Sequence, residues 1–120
     1  ARPVVAQDIS LTPNEELVMN WIDKSVNPDA VEFAAQDMLA PDFVFYGAND
    51  NMILDAGRFI EMEMGKDFLH AALNCVVKGE HDLVQASYVM LTPGLREMPR
   101  TMLFRIENGM IAEAWLNHTL

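Results

Sequence analysis

The chain has one cysteine, Cys75, among 120 residues. No intrachain disulfide can form, and a reducing, cytoplasmic setting suits such a chain. Basic residues are few. Eight Lys and Arg stand against 18 Asp and Glu, for a formal net charge of -10. That sign repels phosphate backbones and anionic lipid, which argues against nucleic acid and membrane surfaces as partners. No apolar run approaches the ~18 residues that a membrane span needs. The opening Ala1-Arg2-Pro3-Val4-Val5-Ala6 is too short for a signal peptide and reads as a trimmed or mature end. Metal-ligand spacing is missing: there is no His-x-His and no paired Cys, and the three histidines are scattered. There is no Gly-rich phosphate loop, no internal repeat and no linker-like tract. Neither a metal nor a cofactor is expected.

What is present is enough to fold. Hydrophobic residues make up 51% of the chain and charged residues 22%, the balance of one globular domain over 1–120 with residues 1–10 as an extension. Thr12-Pro13-Asn14-Glu15 is a helix start, with Thr12 as cap, Pro13 in the first turn and Glu15 where a capping box wants an acid. That helix is expected to run to about Val26. Asn27-Pro28-Asp29 opens a second helix, expected to reach about Leu39, where Ala40-Pro41 ends it. Asp55 caps a third, from about Ala56 to Met64, with Phe59, Ile60 and Met64 buried.

The remaining pattern is β. Short strands are expected at Asp42–Tyr46 and Met52–Leu54. Longer ones are expected at His70–Lys78, Leu83–Thr92, Arg96–Ile106 and Met110–Thr119. Asn108-Gly109 between two such runs is a strong hairpin signal. Helices first and antiparallel strands after imply an α+β fold, three N-terminal helices packed on a curved, mostly antiparallel sheet. In the last strand, alternation separates Ala112, Ala114, Leu116 and His118 from Ile111, Glu113, Trp115, Asn117 and Thr119. The first set is small and apolar until it ends on a histidine, and it can floor a cavity.

Three motifs in the right order resemble the SnoaL-like proteins of the nuclear transport factor-like superfamily, whose fold is cone-shaped. Gly109-Met110-Ile111-Ala112-Glu113-Ala114-Trp115 resembles their G-x-I-x-E-x-W ending. Asp55-Ala56-Gly57-Arg58-Phe59-Ile60 resembles the opening of their third helix, and Ala40-Pro41-Asp42-Phe43-Val44-Phe45 their first strand. The order of elements matches over about residues 11–119. The resemblance implies a pocket for a small apolar molecule, a homodimer, and chemistry that varies among members. Ketosteroid isomerases place a Tyr and two Asp where this chain has Trp21, Gly47 and Thr101, so both carboxylates are missing unless Tyr46 or Asp50 substitutes. The limonene epoxide hydrolase positions fall on Gln85, Ser87 and Leu116. The dehydratases' His corresponds to the neighbourhood of His70. Their helix-one acid maps closer to Asn27 or Asp29 than to Asp23. The carboxylate of the cyclases falls near Asn117, His118 and Thr119.

The expected site follows from these positions. His118 or His70 is the proton carrier, since imidazole titrates near neutral pH; the plain alternatives are a solvated end residue and a surface strand-start. Tyr46 is a proton or hydrogen-bond donor to an oxyanion, or else a rim aromatic. Trp21, Ser87, Asp50, Met90, Leu116 and Thr101 complete the substrate-binding set, with core packing, a solvated hydroxyl or a turn as their ordinary roles. His81, between Glu80 and Asp82, is expected in solvent, and Arg100 either is solvated or binds an acidic ligand group. Met62, Met64, Met90 and Met102 either line an adaptable pocket or fill the core. Two functions stay open. One is an enzyme of cyclase, isomerase or dehydratase type, doing cofactor-free general acid–base chemistry on an apolar carbonyl compound. The other is a non-catalytic ligand-binding or dimerisation module, in which Trp115 with Tyr88 or Phe104 packs on a partner.

Overall fold

The computed structural model describes residues 11–25, 36–47, 52–63, 71–91, 94 and 96–120. The first helix, α1 (Pro13–Ser25), opens on the expected capping box. The Thr12 hydroxyl accepts from the Glu15 N–H at 3.2 Å, and the Thr12 N–H donates to Glu15 Oε1 at 2.9 Å. The other Glu15 oxygen accepts the Gly79 N–H at 2.7 Å. The cap is therefore also a tertiary tie to the sheet. Burial pushes the Glu15 carboxyl up, but these hydrogen bonds outweigh it and hold the group below its ordinary range.

Strands β1 (Leu39–Tyr46) and β2 (Ile53–Asp55) follow, then helix α2 (Ala56–Glu63) and strands β3 (Ala71–Glu80), β4 (Leu83–Leu91), β5 (Glu97–Glu107) and β6 (Met110–Leu116). Asp55 caps α2 as expected, its Oδ1 accepting the Arg58 N–H at 3.0 Å. The six strands form one sheet in the order β2-β1-β6-β5-β4-β3. All pairings are antiparallel except β1 with β6. Register shifts interrupt β1–β6, β3–β4 and β5–β6, and such bulges bend a sheet.

Of the expected second helix, residues 36–38 are described and are helical, and the stretch before them lies outside the described residues. Two expectations are corrected. Leu39 and Ala40 belong to β1, not to a helix, because Leu39 pairs with Ile111 and the bulge that follows accommodates Pro41. The final strand stops at Leu116, since Asn117 takes a left-handed conformation at φ 62.

The β5–β6 turn is Asn108-Gly109, both residues at positive φ (54 and 76), as a tight hairpin of this twist requires. The helices cover one face of the sheet. Phe59 of α2 is fully buried. Its ring centroid lies 5.3 Å from Trp21, 5.0 Å from Phe43 and 4.7 Å from Phe45. This aromatic cluster ties α1, α2 and β1 together, and burying each such ring is worth roughly 1.5–3 kcal/mol. Val84, Ala86, Tyr88 and Met90 of β4 and Met102, Phe104 and Ile106 of β5 complete the core.

Candidate functional site

Strand parity decides which side chains can meet. The inner face of β4 carries Val84, Ala86, Tyr88 and Met90, all buried. Their partners on β5 include Phe104, Met102, Arg100 and Met98. Arg100 therefore projects inward with Met102, Phe104 and Ile106, and it is only 8% exposed. The expectation of a solvated Arg100 is overturned by the same alternation that buries its neighbours.

A carboxylate meets it there. Glu63, the last residue of α2, is 2% exposed. Its Oε2 lies 3.0 Å from Arg100 Nη2. Glu63 follows Phe59 and Ile60 at helical spacings of four and three, so it shares their buried face. Tyr88, directly opposite Arg100 on β4, joins the pair through a hydrogen bond with the guanidinium. Thioethers surround them. Arg100 Nη1 lies 3.4 Å from Met90 Sδ, and the Tyr88 hydroxyl lies 3.7 Å from Met102 Sδ.

The electrostatics follow from burial. Taking two charges out of water costs several kcal/mol per ion, which the pair offsets only by mutual attraction. Burial pushes the Glu63 carboxyl up, and Arg100 pulls it back part of the way. Burial likewise pushes up the Tyr88 phenol and takes the nearby Cys75 thiol to about 11. A carboxyl held above its ordinary range by burial can take up and give back a proton, and the phenol and guanidinium beside it can donate hydrogen bonds to a developing negative charge. One further carboxylate oxygen, Asp23 Oδ1 on α1, is buried without a hydrogen-bond partner among the described residues.

The residues expected from the sequence are dispersed. Trp21 is buried and stacked on Phe59, and Met90 is on the inner face beside Arg100. Leu116 pairs with Met102 and packs half-buried against the core. Ser87 and Thr101 are paired with each other on the outer face, away from the helices. The parity that turns Ala86 and Tyr88 inward turns Ser87 outward, and Ser87 and Thr101 line a shallow depression on that face. Tyr46 is also on the outer face, its ring stacked on Trp115 at 5.8 Å. His118 lies beyond the end of β6 and is exposed, its Nδ1 3.0 Å from the Leu116 carbonyl. Its expected place on the small-residue face assumed a strand running to Thr119, three residues beyond the Leu116 at which β6 ends. His81 is exposed in its turn. His70, Asp50 and Met64 lie outside the described residues. Tyr88 and Phe104, expected outward as partner contacts, point into the core. Only Trp115 of that trio is on the outer face. The depression there, of about 240 Å³, lies where Asn74 at φ 53 breaks the β3–β4 register.

Among the described residues no group of three His, Cys, Asp or Glu could hold a metal ion. No described helix is long and apolar enough to cross a membrane.

No family model matches the chain, and no curated protein matches it. Solved structures do. A de novo designed protein with a curved β-sheet is 13% identical, with a TM-score of 0.73 over 90% of this chain and 86% of that one. A candidate polyketide cyclase from Xanthomonas campestris is 18% identical, with a TM-score of 0.72 over 89% and 90% of the two chains. An NTF2-like protein of unknown function from Cytophaga hutchinsonii is 17% identical, with a TM-score of 0.70 over 92% of each chain. The chain has the NTF2-like fold that the sequence resemblance implies. A designed protein shares that fold, so the fold alone assigns no chemistry.

Proposed function

We propose that the chain is a small-molecule enzyme doing cofactor-free general acid–base chemistry, of the isomerase, cyclase or lyase type, on an apolar carbonyl compound bound against the inner face of the sheet. One observation carries this reading: the Glu63–Arg100–Tyr88 cluster, a carboxylate, a guanidinium and a phenol gathered inside an otherwise apolar core. Glu63 takes the role that the sequence assigned to a histidine. Its carboxylate accepts a proton from the carbon beside the carbonyl. The electron pair moves onto the carbonyl oxygen, where Tyr88 and Arg100 oppose the new charge, and the proton returns at a different carbon or to a leaving group. Fold neighbours named as candidate polyketide cyclases support the class without fixing the reaction.

The test needs no knowledge of the natural substrate. A panel of apolar ketones and lactones in D₂O reports proton abstraction as deuterium entering the α-carbon, read by NMR. Wild type is expected to accelerate exchange for at least one compound, and Glu63→Gln, with an unchanged circular dichroism spectrum, to lose it. Equal exchange by Glu63→Gln would sink the reading.

A second element rests on the outer face. No described helix covers the sheet there, and this face carries the Tyr46–Trp115 stack together with the exposed Val76. A second copy of the chain packs on this face in our reading, giving a homodimer. Trp115→Glu is expected to yield monomers in sedimentation velocity; a dimer that persists would point to another surface.

A further inference from the structure

Beyond β6 the chain stays on the sheet. Asn117 takes its left-handed turn at φ 62, and its N–H donates to the Thr101 carbonyl of β5 at 2.8 Å. The Leu120 N–H then donates to Gln85 Oε1 at 3.0 Å. Gln85 belongs to β4 and points to the outer face, since Val84 and Ala86 on either side of it are buried inward. In the sheet, β5 lies between β6 and β4. Residues 117–120 therefore cross β5 on the outer face, held at both ends. All four are exposed, so they ride above the sheet as a strap.

The far anchor of the strap shares a row with the aromatic stack. Register sets Tyr46 beside Trp115, Trp115 beside Leu103 and Leu103 beside Gln85. Ile53 of β2 pairs with Tyr46 and extends the row, 57% exposed. No residue of this row from Ile53 to Gln85 carries a charge, in a chain of net charge -10. In the adjacent row Arg105 and Glu113 neutralise each other. Two copies of an acidic chain can meet here without bringing like charges together.

A stable pair buries roughly 800 Å² on each partner, about 20–30 residues. Ile53, Tyr46 and Trp115 cannot supply that area alone, so the contact must spread over β5 to β4, where the strap lies. Sheets packed face to face sit about 10 Å apart with side chains filling the gap. That spacing leaves no layer for a backbone.

We propose that residues 117–120 and a second copy of the chain exclude each other on the outer face, the Asn117 turn and the Gln85–Leu120 clip setting the balance of monomer and dimer. This rests on the reading of that face as the pairing surface. With the strap closed the chain is a monomer. Release bares Leu103 and Gln85 and admits the partner. Each dimer needs two straps open, so a change in strap closure enters the dissociation constant twice.

The experiment tunes the strap in both directions. Glycine adopts a positive φ without steric cost, and a β-branched residue resists it. Asn117→Gly should therefore loosen the dimer and Asn117→Val tighten it. Gln85→Ala removes the clip. One hydrogen bond is worth roughly fivefold in an equilibrium, so this variant should tighten the dimer by up to about 25-fold. Sedimentation over a concentration series gives each dissociation constant. Hydrogen exchange at the Leu120 amide, followed in the Trp115→Glu background to isolate the monomer, reports the strap itself. It should be slowed there and faster once Gln85→Ala is added.

Equal dissociation constants, or shifts of the same sign in the two Asn117 variants, overturn the strap and leave the homodimer standing. So does a Leu120 amide that exchanges at the same rate with and without Gln85. Monomers at every concentration in Asn117→Val refute the outer face as a pairing surface, and the exclusion falls with it.

Discussion

Removing Arg100 alone should be far worse than removing it together with Glu63. Arg100→Met keeps the apolar stem but strands a carboxylate that is 2% exposed, and breaking one side of a buried pair costs about 3–5 kcal/mol. Unfolding entropy is about 2.1 cal/mol/K per residue. For 120 residues that is roughly 0.25 kcal/mol per kelvin, so the variant should melt roughly 12–20 °C lower. Glu63→Leu with Arg100→Met replaces the pair by apolar volume, and its stability should lie within about 1 kcal/mol of wild type or above it.

The pH dependence carries the same signature. Burial pushes the Glu63 carboxyl above its ordinary 4.5, and Arg100 opposes the rise. A carboxyl whose pKa is raised on folding holds its proton more tightly in the folded chain. It therefore costs stability as pH climbs above 4.5, and the cost vanishes as pH falls back to that value. Without Arg100 the opposing pull is gone. The Arg100→Met penalty should be largest near neutral pH and shrink toward ~4.5. Urea unfolding of wild type, the single variant and the double variant between pH 4.5 and 8 measures it. A double variant no more stable than Arg100→Met, or a penalty that ignores pH, would refute the reasoning.

Two further outcomes are expected. In Gly79→Ala the new Cβ would stand 3.1 Å from Glu15 Cγ and 3.3 Å from Oε2. The Glu15 side chain is pinned by its hydrogen bonds, so the change should cost about 1–2 kcal/mol, and much less in a Glu15→Ala background; additive urea midpoints would refute the coupling. Cys75 is fully buried and its thiol is pushed up to about 11, so a thiol reagent at pH 8 should modify it only as fast as the chain opens; rapid labelling of the folded protein would contradict that burial.

Features written in local chemistry were legible before any coordinates. The Thr12–Glu15 capping box, the Asp55 cap and the Asn108-Gly109 turn need only neighbours in sequence, and each formed as expected. Features set by tertiary pairing were harder. The inward parity of Arg100 was present in its spacing from Met102, Phe104 and Ile106, but a charged residue reads as solvated unless its counter-ion is known. That counter-ion, Glu63, sits on a different element. Its own signal, the spacing from Phe59 and Ile60, was hidden by the same assumption about charge. Alternation groups Ser87 with Gln85 and Val89, but it fixes two sets and leaves open which one meets the helices. His118 failed for a different reason: alternation was extended past a backbone that turns left-handed at Asn117.

The parallel pairing of β1 with β6 has a consequence for how the chain acquires its shape. Leu39 finds Ile111 and Tyr46 finds Trp115, so one side of β1 stays open until β6 has left the ribosome. Phe43 and Phe45, both buried in the finished sheet, wait through that interval beside an unpaired edge. Contacts this distant in sequence form slowly, and unpaired apolar strands invite association meanwhile. The hairpins β3–β4 and β5–β6 can assemble locally; β1 closes the structure last. Truncation before β6 would therefore leave a sticky, half-built sheet rather than a smaller stable domain.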